Sequence, residues 1–119
     1  MAKPFSAQVT TAVAVKLQGN EGPLTVDGWH IVNTTAALAY IQVFDKTSAN
    51  VTLGTTTADY VIPVPANGSV AAVLGTGDAN NSAIAGSQRV THALGCTIAA
   101  TTTRTGNTTA ACDVLMWVH

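Results

Sequence analysis

Three histidines, two cysteines and six carboxylates are what this chain offers for acid–base, nucleophilic or metal chemistry. Their spacing decides what that chemistry is. The nearest approach to a ligand set is His92 with Cys96 and Cys112, an imidazole and two thiols of the kind that hold zinc. No fourth ligand accompanies them and the cysteines form no Cys-x-x-Cys pair, so packing inside strands is the expectation for all three. Asp27 and His30 would need a serine in a nucleophile elbow, and no Gly-x-Ser-x-Gly run occurs. Glu21, Asp27, Asp45, Asp59, Asp78 and Asp113 are scattered, with nothing to set two of them face to face for glycoside chemistry. Several fall at turns, where aspartate bonds the backbone. The run Gly77-Asp78-Ala79-Asn80-Asn81-Ser82 carries oxygen ligands without the spacing or terminal acid of a calcium loop. The expectation is a protein that is not an enzyme and needs neither cofactor nor metal.

Charge excludes a second class. Only 9% of the residues are charged and the formal net charge is −1, so there is no electrostatic footprint for nucleic acid. Lys3, Lys16, Lys46, Arg89 and Arg104 lie far apart in the chain. No run approaches the roughly 20 apolar residues of a membrane span, and the N-terminal residues contain no apolar stretch of signal-peptide length. A polypeptide made in the cytoplasm, with no membrane and no nucleic-acid partner, is expected.

The elements that must position these residues are strands. In residues 8–18, Val9, Val13, Val15 and Leu17 share one parity and Gln8, Thr10, Lys16 and Gln18 the other, the period of a half-buried strand. Gly19, Asn20, Gly22 and Pro23 end it. Further strands are expected over 26–33, 38–44, 51–54, 60–64, 69–74, 90–100 and 112–118. Asn67-Gly68 is a turn signal, 75–87 is a Gly/Asn/Ser-rich loop, and 79–85 has room for one helical turn at most. About eight short strands at this spacing point to an all-β fold, a two-sheet antiparallel sandwich, jelly-roll-like ahead of immunoglobulin-like. Residues 1–7 read as an N-terminal arm and 8–119 as one domain. The Asn-x-Ser/Thr triplets at Asn33, Asn50, Asn67, Asn80 and Asn107 read as turn markers in a threonine-rich chain.

Two strands are apolar on both faces. Ile41 and Val43 oppose Leu38, Tyr40 and Phe44; Val114, Met116 and Val118 oppose Leu115 and Trp117. One face of each sheet fills the core, so the second needs cover from the chain's own loops and N-terminal segment or from another subunit. Pro4, Phe5, Leu38, Tyr40, Phe44, Leu115 and Trp117 are the candidate interface residues. Cys96 and Cys112 would meet if their strands formed a hairpin about Arg104; two buried, reduced thiols are the preferred state over a disulfide.

The runs Ala39-Tyr40-Ile41-Gln42-Val43-Phe44-Asp45, Val51-Thr52-Leu53-Gly54-Thr55-Thr56 and Tyr60-Val61-Ile62-Pro63-Val64-Pro65-Ala66, with the Thr/Ala-rich approach to a hydrophobic last strand, resemble small structural proteins of tailed bacteriophages. The resemblance covers residues 28–119. It implies a virion component on the capsid surface, a decoration (cement) protein. Such proteins form homo-oligomers, commonly trimers, and reinforce the shell of the major capsid protein. A tail, neck or fibre module of the virion is the neighbouring reading. A carbohydrate-binding β-sandwich for cell-surface recognition is the reading from another class, with Trp29, Tyr40, Tyr60 and Trp117 as its available aromatics.

Overall fold

Runs rich in Val, Ile, Thr and Ala alternate in and out of one core and form nine strands among the residues described by the structure, a computed structural model covering 3–74 and 89–119. They are β1 (Lys3–Val9), β2 (Val13–Val15), β3 (Leu24–Asn33), β4 (Ala39–Phe44), β5 (Tyr60–Val64), β6 (Ser69–Val73), β7 (Val90–His92), β8 (Cys96–Thr101) and β9 (Cys112–Val118). The only helical piece among those residues is a short 3-10 turn over Ser48–Asn50. The Gly77–Ser82 oxygen-rich loop and the possible helical turn over 79–85 lie outside the described residues.

Two antiparallel sheets face each other. Sheet A runs β1-β9-β3-β6, with β7 following β6 along the same edge of β3; sheet B runs β2-β8-β4-β5. The pairs β1·β9, β2·β8, β3·β6/β7 and β4·β5 are nested. Each strand of the first half of the chain pairs with its mirror in the second, so the whole is one long hairpin folded over itself. That is the jelly-roll order.

Two expected strands are each divided by a corner. Residues 8–18 leave sheet A after Val9 and join sheet B at Val13, and residues 90–100 leave sheet A after His92 and join sheet B at Cys96. Alternation continues through both corners because the two sheets share one core: Val9 enters it from one side and Val15 from the other, both fully buried. At the second corner the Asp45 carboxylate accepts the Leu94 N–H at 2.9 Å. A side chain at Gly95 would lie 3.2 Å from the Lys46 backbone, so the corner can close this tightly only on glycine. Residues 51–54 form turns and no strand. The expected arm is also corrected: residues 3–7 belong to β1 and pair with β9 in full register, from Lys3 with Val118 to Val9 with Cys112.

Asn33, read as a turn marker, is 1% exposed and fastens one end of the sandwich. Its Nδ2 donates to the carbonyls of Ala37 (2.8 Å), Val64 (3.2 Å) and Pro65 (3.1 Å). Its Oδ1 accepts from the Thr35 N–H at 2.9 Å and the Thr35 hydroxyl at 2.6 Å. One side chain therefore ties the end of β3 to the end of β5, and no shorter or apolar residue reproduces the set. Asn33→Ala is expected to cost about 3 kcal/mol, since several buried backbone groups lose their partner at once. A urea titration checks this through a lower midpoint at unchanged slope.

Candidate functional site

The outer face of sheet B is closed by its own chain. Register places Tyr40, Gln42 and Phe44 of β4 beside Thr101, Ala99 and Thr97 of β8. On this face Gln42, Phe44, Thr97, Ala99 and Thr101 are all buried. The cover is visible in the hydrogen bonds. Gln42 Nε2 donates to the Thr101 hydroxyl at 2.9 Å and to the Gly106 carbonyl at 3.1 Å. Thr97 Oγ1 donates to the Lys46 carbonyl, and Thr101 Oγ1 to the Thr103 carbonyl. The segments after β4 and after β8 also meet each other where Gly54 abuts Asn107. Phe44 is thus removed from the candidate interface: it is fully buried within its own molecule. Tyr40 is half-buried, with the Arg104 guanidinium 5.8 Å from its ring centre. Leu38 stays 45% exposed, just ahead of β4.

Sheet A is different. Directly paired residues share a face, so its outer surface is set by three rows: Pro4–Trp117–Gly28–Val73, Ser6–Leu115–His30–Ala71 and Gln8–Asp113–Val32–Ser69. Among the described residues no segment pairs across or hydrogen-bonds over this surface as the loops do over sheet B. Val73 is 75% exposed and Trp117 37% exposed; Leu115 and Val32 are half-buried. A Cβ on Gly28 would stand 2.6 Å from the Ala72 carbonyl, so the close approach of β6 to β3 needs glycine there, and the Trp117 ring lies beside it at 3.4 Å from that position. The only ionisable groups in the rows are His30 and Asp113. Phe5 is corrected in turn: it pairs with Met116 and packs on the core, on the opposite face of β1 from Pro4. Val73, Ala71 and Val32 complete the surface and escaped notice in the sequence. Their own strands show ordinary alternation, and only the pairing order puts them beside Trp117.

The chemistry-bearing residues fall into separate small groups. His30 stands on the sheet A surface. His119 Nδ1 lies 2.6 Å from Asp27 Oδ2, and Arg89 Nε 2.9 Å from Asp27 Oδ1. Asp27 reaches both because it is the extra residue of a bulge between Val26 and Gly28. No hydroxyl among the described residues hydrogen-bonds His119. His92 is buried, with Nε2 3.0 Å from the Tyr60 hydroxyl and Nδ1 lacking a well-aligned partner. Burial pushes the His92 pKa down against the pull of Asp45, the Gly95 backbone and Asp59, and burial raises that of Tyr60. At Asp45 desolvation pulls upward, but N–H donation from Leu94, Gly95 and Ala93 outweighs it and the carboxyl titrates low. Cys96 and Cys112 are free thiols in different sheets, each the first residue of its strand. Burial pushes them up to about 12 and about 11. Among the described residues no three His, Cys, Asp or Glu side chains converge on a point. A surface hollow of about 500 Å³ beside Lys46, Thr47, Asn50 and Leu94 brings a single charge to its wall.

What the arrangement offers among the described residues is surface: the centre of one sheet face is covered by loops, and the other, largely uncharged, has no such cover. Compared with family models, with curated proteins and with solved structures, the chain finds no match in any of the three.

Two outcomes follow from the buried groups. His92 is held neutral in the fold, whereas the unfolded chain takes up a proton near the ordinary value of 6.5. Falling pH therefore favours the unfolded chain, and stability is lost from about pH 7 towards pH 5, well above the carboxylate range. His92→Gln should flatten that part of a melting-temperature profile. Thiol titration should find no reactive cysteine in the native protein at neutral pH and both after unfolding.

Proposed function

We propose that the chain is a structural subunit of a virion, a capsid decoration protein that works as a homo-oligomer and strengthens the shell of the major capsid protein. The observation that carries this reading is the asymmetry between the sheets. A protein that buried every apolar face in itself would have no use for the Pro4–Trp117–Val73 row at the surface. One built to be covered by a larger partner needs area and shape there and few charges. The chemistry-bearing residues support the same side: they are singly placed, buried as inert thiols, or spent on fastening the backbone. The jelly roll fits without deciding the matter, since that fold serves capsid and lectin domains alike. The bacteriophage resemblance of residues 28–119 adds the virion to the reading. Weak contacts repeated over a shell sum to firm retention, so a face of modest size suffices.

One feature favours a second reading. Trp117 is partly exposed beside β3, and an exposed indole is a surface on which a sugar ring can stack, so the carbohydrate-binding sandwich keeps a physical basis. In a particle of the tail, neck or fibre type the same face would dock on a different neighbour.

The test uses heads separated from tails of the phage whose genome encodes the chain. The decoration reading predicts the polypeptide in the head fraction at a fixed ratio to the major capsid protein. It also predicts that Trp117→Lys protein folds but fails to rebind heads stripped of it. Its absence from virions contradicts the proposal. Quenching of Trp117 fluorescence by polysaccharide, without binding to heads, transfers the face to the sugar reading.

A further inference from the structure

The outer edge of β6 is built to receive another strand. Asn33 N–H donates to the Gly68 carbonyl at one end of the β3–β6 pair, and Leu74 N–H donates to the Asp27 carbonyl at the other. In an antiparallel ladder bonded residues alternate, so Val70 and Ala72 turn their backbone groups towards β3. Ser69, Ala71 and Val73 turn theirs away. Among the described residues β6 pairs with β3 alone, which leaves those outward groups without a strand.

Edge strands normally carry devices against such pairing: proline, lysine, or shortness. The other edges of this sandwich have them. β1 begins Lys3-Pro4, β5 contains Pro63, and β2 and β7 are three residues each. Ser69-Val70-Ala71-Ala72-Val73 has no charge, no proline and no glycine. It is also the edge on which the open apolar face ends, at Val73 and Ala71.

We infer that β6 pairs antiparallel with β6 of a second copy of this chain, about a two-fold axis through Ala71. Of the registers the alternation allows, only this one pairs all three outward residues of each strand. The two Ala71 residues exchange bonds across the axis, and each Ser69 faces the second copy's Val73. All outward groups of both strands are satisfied, giving roughly six hydrogen bonds. The methyl group of Ala71 permits the close approach at the axis, and an uncharged edge meets an uncharged edge without repulsion. The four-strand path of sheet A becomes a continuous sheet across both molecules, and the two open faces join into one surface of about twice the extent. A two-fold axis needs only one kind of edge, used twice. A three-fold ring would need β6 to meet a different edge, and those edges are the guarded ones. The pairing is read from the strand alone, so it stands or fails separately from what the face docks on.

The test is made on the full chain. Sedimentation equilibrium over a concentration series should show association to twice the 12.1 kDa chain mass. Ala71→Cys should give a covalent dimer under mild oxidation, because opposed residues of a bonded pair have Cα atoms about 5.5 Å apart, inside the disulfide range. Thr55→Cys, exposed on the sheet B side, should form no covalent dimer under the same oxidation. Ala71→Lys sets two ammonium groups at the axis and should return the protein to single-chain mass with its circular dichroism unchanged. A single-chain mass throughout with no A71C cross-link overturns the inference. So does a three-chain mass, or a dimer that survives A71K.

Discussion

β8 has no face left for water and β4 shows it only the edge of half-buried Tyr40, and the rest of the molecule is arranged around that fact. Ile41, Val43, Ile98 and Ala100 fill the space between the sheets, while Phe44, Ala99, Thr97 and Thr101 are equally buried behind them. A strand buried on both sides in a two-layer fold needs a third layer. Here the loops after β4 and β8 supply it, and they bring the polar partners that burial demands. Gln42 is the clearest case, its amide shared between the Thr101 hydroxyl and the Gly106 carbonyl. Because sheet B consumes these loops as its roof, sheet A has none from that source. The surface left uncovered among the described residues is thus the other side of the same constraint.

Much of this was legible in the sequence. Period-two alternation marks the strand-bearing regions, and the turn residues mark most of the hairpins; Asn67, with φ of 50°, sits where its Asn-Gly signal placed a turn. The corners at residues 10–12 and 93–95 were invisible to alternation, since a strand that changes sheets around one core keeps its parity. The apolar double face of 38–44 was correctly seen. Its cover could not be assigned, because the loops that provide it are Thr-, Asn- and Gly-rich and bind through backbone carbonyls, which carry no side-chain signal. The last strand gave Leu115 and Trp117 directly. Their neighbours Val73, Ala71 and Val32 required the order β1-β9-β3-β6, a long-range pairing that no local pattern encodes. Asn33 had a turn reading from its type and sits next to a turn; that it is the buried fastening of two strands follows only from the chain reversal that brings Val64 and Pro65 to it.

Several of the groups able to titrate are used in the fold. Asp27, displaced outward by its bulge, binds Arg89 and His119 and so fastens the ends of β7 and β9 to β3. Asp45 pins the β7–β8 corner, and Glu21 accepts the Ser48 N–H and hydroxyl to hold the short 3-10 turn. His92 and Tyr60 link the two sheets across the core edge. Among the described residues the outer face of sheet A carries Trp117, Leu115 and Val73 beside His30 and Asp113.

Hydroxyl-radical footprinting of the protein mixed with phage heads, the proposed partner, set against the free protein, asks most directly whether that face is where contact is made. Protection concentrated on Trp117, Leu115 and Pro4, with Leu38 and the roof over sheet B as reactive as before, is the result this account requires. Protection falling on the segments around Gly54 and Arg104, with Trp117 still reactive, would contradict it.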